Sequence, residues 1–177
     1  MKPVLAILAA AMTLMIAVPL SAAAPPVASS AHALFDKPYA YDPSGCTHLM
    51  LDLQVTPSAV NADYWGRNTC TNSDSDHLTG STTLTPDQVS FTKSSASLTN
   101  VIVTVSSLPG GYGYFQQFTL NLDWAKDGHP TVSHTGPGAG VHEVPATVTG
   151  SAVDLTNIAP FAGTDAVDAE LVLHAGG

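Results

Sequence analysis

Three imidazoles fall within one Gly- and Pro-rich stretch: His129, His134 and His142, with Asp123, Asp127 and Glu143 beside them. Neutral imidazole nitrogen suits Zn²⁺ and Cu²⁺, so a loop that converged would hold such an ion. A hydrolase or another metal-dependent enzyme could be built on it. The spacings are irregular, however, with no pair of His one helical turn apart. Solvated loop histidines are the simpler reading, and the metal site stands as the alternative. A second oxygen-rich run is Asn72-Ser73-Asp74-Ser75-Asp76. It has the look of the start of a calcium loop, but His77 stands where an EF-hand needs Gly and Thr83 where it needs a bidentate Glu. An EF-hand is excluded. A polar turn is expected, with a looser Ca²⁺ site as the lesser reading.

Nucleophilic chemistry leaves no signature. Gly-x-Ser-x-Gly and His-Glu-x-x-His are missing from the sequence. The paired carboxylates Asp74/Asp76 and Asp165/Asp168 lie in polar turn or surface contexts, unlike the buried pair that glycoside hydrolysis uses. Among the aromatics, Tyr64, Trp65 and Phe115 fall off the parity of the core positions. They are the candidates for an exposed platform that stacks on a sugar ring. Leu108 to Gly111 offers a turn that a secreted inhibitor would insert into an enzyme. No resident cofactor is expected beyond the Zn²⁺ or Ca²⁺ alternatives.

Cys46 and Cys70 are the only cysteines. An even count in an exported chain reads as one disulfide, and the spacing is wrong for a redox Cys-x-x-Cys. Export is read from the N-terminus. Lys2 is the only charge before His32, and Val4 to Val18 is apolar apart from Thr13. Small residues follow at Ser21-Ala22-Ala23-Ala24 and at Ala31-His32-Ala33. Together these form a secretory signal peptide, too short in its apolar part for a spanning helix. The cut is expected after Ala23 or after Ala33; a cut after Ala24 would place Pro25 next. Residues 1–33 are therefore assigned to the signal and a Pro/Ala/Ser leader, and 34–177 to one secreted domain that does not insert in a membrane.

The elements that must carry these residues are strands. The chain has 177 residues, is rich in Thr, Ser, Val, Gly and Pro, and contains only two Glu, Glu143 and Glu170. Thr and Val favour strands, and Gly and Pro punctuate turns. Leu49, Leu51, Leu53 and Val55 alternate with polar residues, as in a strand with one buried face. Val101, Val103 and Val105 do the same. After the turn at Leu108-Pro109-Gly110-Gly111, so do Tyr112, Tyr114, Phe118, Leu120, Leu122 and Trp124, which predicts a β-hairpin. Val144, Ala146 and Val148 are followed by Val153 and Leu155, so the parity flips near Gly150 and predicts a bulge or a tight turn there. Val167, Ala169, Leu171 and Leu173 predict a closing strand, and residues 34–47 an irregular lead-in. The expected architecture is an all-β, single-domain antiparallel β-sandwich of seven to eight short strands with Greek-key, Ig-like connections.

Net charge is −9, with 14 acidic residues against five basic ones. Such a surface repels phosphate backbones and anionic headgroups, which excludes nucleic acid as a partner. The segments Thr119-Leu120-Asn121-Leu122-Asp123-Trp124 and Pro145-Ala146-Thr147-Val148-Thr149-Gly150, with the closing strand, resemble a loose group of small exported bacterial β-sandwich proteins. The resemblance runs from about Ser95 to the C-terminus; it implies the fold and no activity. The functional expectation is a secreted, disulfide-stapled, non-catalytic binding or structural module for an extracellular or envelope ligand.

Overall fold

The computed structural model describes residues 27–107, 113–129, 132–133, 141–155 and 160–174. Strands dominate them: β1 (Ala28–Pro38), β2 (Thr47–Val55), β3 (Ala59–Asn68), β4 (Ser73–Asp74), β5 (Leu78–Thr83), β6 (Val89–Phe91), β7 (Ser95–Ser106), β8 (Phe115–Lys126), β9 (Val132–Ser133), β10 (Val141–Asp154), β11 (Phe161–Ala162) and β12 (Ala166–His174). One 3-10 turn, Gly163–Asp165, precedes β12. The domain is thus all-β and antiparallel, as the alternation requires. Eight strands are long; the other four span two or three residues each.

Pairing runs β1-β2-β3-β5-β7-β8-β10-β12 and returns to β1. Each long strand therefore lies beside its neighbours in sequence. This up-and-down order replaces the expected Greek-key, Ig-like connections. Each long strand is followed in sequence by its antiparallel neighbour, so no crossover connection is needed. The sandwich has one layer of β3, β2, β1 and β12, and another of β5, β7, β8 and the second half of β10. β10 turns the corner, pairing β12 through Val141–Pro145 and β8 through Ala146–Asp154. Ring closure leaves few free edges.

The core lies between the layers. Trp124, Phe35, Phe118, Phe161, Leu51, Leu53, Leu120, Leu122 and Leu171 are its largest fully buried side chains. Phe35, Tyr64 and Phe118 all pack against Phe161, at ring separations of 5.9, 6.4 and 6.2 Å. The outward positions carry His32, Asp52, Asn61, Asp63, Asn121 and Asp123 instead. That polarity is the reverse of a lipid-facing barrel. No helix of the described residues is long and apolar enough to cross a membrane.

The N-terminal boundary differs from the sequence expectation. β1 begins at Ala28, inside the segment assigned to the leader, and runs through the supposed irregular lead-in to Pro38. It sits between β12 and β2, with Ala28, Ala31, Ala33 and Phe35 buried. The folded domain therefore starts before residue 34. The parity flip at Gly150 also fails. The β8–β10 register runs unbroken past it, so Val153 and Leu155 face out and Asp154 faces in. Gly150 adopts φ +94°, and a Cβ there would lie 2.1 Å from the Asn121 carbonyl oxygen. It permits close approach and a bend without adding a residue. The real bulge lies in β7, between Leu98 and Val101, where Asn100 takes φ 51°. A second register slip, where Leu34 pairs Asp168 and Phe35 pairs Ala166, turns Val167 out to solvent.

Candidate functional site

Cys46 precedes β2 and Cys70 follows β3, and the two form a disulfide with a Cα–Cα distance of 5.4 Å. The bond clamps the open end of the β2–β3 hairpin, where Thr69 N–H also donates to the Cys46 carbonyl. Closing a loop of this length removes unfolded-state entropy worth about 3.5 kcal/mol in the chain-entropy account.

Tyr64 and Trp65 are neighbours on β3 and so point to opposite faces. Tyr64 shares its parity with Val60 and Ala62 and is buried, with its ring 5.3 Å from Phe118. Burial, with Asp154 adding, pushes its phenol up to about 12. Tyr64 therefore packs into the core while also lining a surface depression beside Trp65. Trp65 does face outward, stacked on His77 at 4.7 Å and 10°. The His77 ring is held in turn by a 2.8 Å hydrogen bond between Nδ1 and Asp63 Oδ2. Phe115 is half exposed, as expected, and Tyr114 is 86 % exposed. Tyr114 was expected inside on parity, but β8 starts only at Phe115, so alternation does not reach it. Trp65, Tyr114, Gln116, Ser75, Asp76 and Ser107 line one open depression of about 320 Å³. Its walls, to which Tyr64 and Leu78 also contribute, thus combine three aromatic rings with a carboxylate, an amide and two serine hydroxyls.

A second polar group covers the outside of β1 and β2. His32 Nε2 lies 2.9 Å from Asp52 Oδ1, and His48 Nδ1 lies 2.5 Å from Asp36 Oδ1. The two contacts are related by the antiparallel pairing. Each strand carries a His followed four residues later by an Asp, and each His meets the other strand's Asp on the diagonal. That repeated His-x-x-x-Asp spacing is present in the sequence, but His32 falls in the segment read as leader and so hides the repeat. The hydrogen bond that His32 donates to Asp52 is the chief cause that raises the His32 pKa above 6.5, opposed by burial and helped by the charges of Asp52, Glu170 and Asp168. Burial pushes the Glu170 carboxyl up, with Glu143 adding. Asp52 sits opposite Asp63 in register, and both line a shallow depression of about 440 Å³. Pairing with His32 and His77 offsets the repulsion between these two carboxylates.

The proposed metal loop is only partly visible. His129 is exposed just beyond β8, His142 lies in β10 with a buried Nδ1 that has no hydrogen-bond partner, and His134 is outside the described residues. Among the described residues, no three His, Cys, Asp or Glu side chains gather to hold a metal ion. The inhibitor turn, Leu108 to Gly111, is also outside them. The Asn72–Asp76 run leaves a turn at Asn72 and forms β4 at Ser73–Asp74, and two of its side-chain oxygens serve the chain itself. Asn72 Oδ1 accepts from Arg67 Nη2 at 3.0 Å, and Ser75 Oγ accepts from Gly66 N–H at 2.8 Å.

Neither a protein-family model, nor a curated protein, nor a solved structure matches this chain.

Proposed function

We propose that the chain is exported and works outside the cell as a non-catalytic module that binds a glycan. The observation that carries this reading is the depression between Trp65 and Tyr114. Aromatic faces stack on the apolar faces of sugar rings, while hydroxyl, amide and carboxylate groups hydrogen-bond to sugar hydroxyls. Both are found together there. Among the described residues the interior offers no comparable place, since Trp124, Phe118, Phe35 and Phe161 fill it. The net charge of −9 disfavours anionic polymers, and Asp76 in the depression favours a neutral or amino-sugar unit. The disulfide fits a non-reducing compartment, and the apolar run from Val4 to Val18 fits a route to one.

Depletion by insoluble polysaccharides tests the reading. The mature chain, mixed with cellulose or chitin, leaves the supernatant with at least one of them. Tyr114→Ala weakens that binding by about tenfold, the worth of one aromatic stack. Tyr114 packs little against the core, so the variant keeps its melting temperature. Failure to bind either polymer, or equal binding by the variant, overturns the assignment.

A further inference from the structure

We infer that the leader is cut after Ala23, leaving Ala24 as the mature N-terminus; this rests on the export reading above. The sequence offers two small-residue sites, one at Ser21-Ala22-Ala23 and one at Ala31-His32-Ala33, and both satisfy a signal peptidase that reads small side chains. The fold separates them. Residues 28–33 are the first half of β1, a strand inside the ring.

Four elements hold that half-strand. Ala28 N–H donates to the Thr92 carbonyl at 2.9 Å, beyond β6. Ser29 Oγ donates to the Val172 carbonyl of β12 at 3.2 Å. The His32 carbonyl accepts from Trp124 Nε1 of β8 at 2.9 Å. Ala31 and Ala33 pair with Val55 and Leu53 of β2, and with Leu171 and Ala169 of β12. A cut after Ala33 would remove all of these. It would expose the backbone edges of β2 and β12, and leave the buried indole N–H of Trp124 without its acceptor. A cut after Ala23 keeps β1 whole.

The Ala31-His32-Ala33 triplet also has a structural reason for its small residues. Both alanines are fully buried and face the interior at the place where the Trp124 indole reaches the β1 backbone. Small side chains there leave room for a large ring. They need not mark a peptidase site.

The test is the N-terminus of the protein recovered from the medium of a secreting bacterial host given the full chain. Edman sequencing and intact mass show Ala24 first. A mature product beginning at Leu34 overturns the inference while leaving export intact. Recovery of the uncut chain from cells alone overturns the export reading and the cut with it. A second measurement compares chains 24–177 and 34–177, each refolded with the disulfide formed. The longer chain melts cooperatively, and the shorter one shows no cooperative transition. Melting of both within a few degrees of each other would show β1 to be dispensable and overturn the argument.

Discussion

Trp124 Nε1 donates a 2.9 Å hydrogen bond to the carbonyl oxygen of His32, joining β8 to β1 across 92 residues of chain. The indole is fully buried, and the bond crosses from one layer of the sandwich to the other. His32 sits one strand away from β12, whose pairing with β1 closes the ring. A single side chain therefore ties the seam between the first and last strands to the opposite layer. The outward side of the same residue meets Asp52, so His32 is anchored by its backbone within and by its imidazole without.

Trp124→Phe keeps an aromatic ring in the core but removes the indole donor and leaves a cavity. A buried carbonyl loses a partner, at a cost of about 1–3 kcal/mol, and the lost volume adds to it. Urea unfolding of the oxidised mature protein is expected to show a loss of about 3 kcal/mol with an unchanged slope. A loss below about 0.5 kcal/mol would mean that the indole N–H contributes nothing net.

Two-residue periodicity made most of this architecture legible. The inward sets Leu49–Val55, Val101–Val105 and Phe118–Trp124 stand where alternation places them, and the cysteine pair forms its disulfide. β1 was hidden because its inward residues are alanines, which bury little area and resemble leader sequence. Val153 and Leu155 misled because an exposed edge of apolar residues reads as buried when the neighbouring Asp154 is assumed to face water. Tyr114 reads as buried because parity says nothing about where a strand starts, whereas Tyr64 reads as exposed because Val60 and Ala62 are too few apolar residues to mark the inward face of β3. The His32–Asp52 and His48–Asp36 pairs depend on the β1–β2 register, and no single strand contains that information.

The His32–Asp52 pair makes stability depend on pH in a defined direction. Its folded pKa is raised above 6.5, so folding favours the protonated imidazole. The contribution is fully present below pH 6.5 and is lost as pH rises through the raised folded value. The melting temperature of the wild type is therefore expected to fall by about 2 °C between about pH 6 and pH 8 through this pair. His32→Gln removes that part of the slope, and Asp52→Asn does the same by removing the acceptor. Glu170 and Asp168 of β12 also face His32, so the comparison is made against His48→Gln, which leaves their field in place. Identical pH profiles for the wild type and His32→Gln would exclude the pair as the source.

Gly80 is the residue on which closure of the ring at β5 and β7 depends. These strands share one registered pair, Thr79 with Ser106, supported by Thr82 Oγ1 donating to the Ile102 carbonyl at 2.9 Å. A Cβ at Gly80 would lie 1.9 Å from the Thr104 carbonyl oxygen. Backbone atoms cannot yield as a flexible side chain can, so Gly80→Val must push β5 away from β7. The seam has little other pairing to resist this. A loss of about 3 kcal/mol is expected, together with faster amide exchange along β5 and in the facing part of β7. Gly66→Ala is the control, because its new methyl would meet the Ser75 hydroxyl at 3.4 Å and nothing else nearer than 3.9 Å, and it is expected to change stability by less than about 1 kcal/mol. Equal stability of the two variants would show that β5 and β7 do not depend on close approach, and the ring would then be open at that seam.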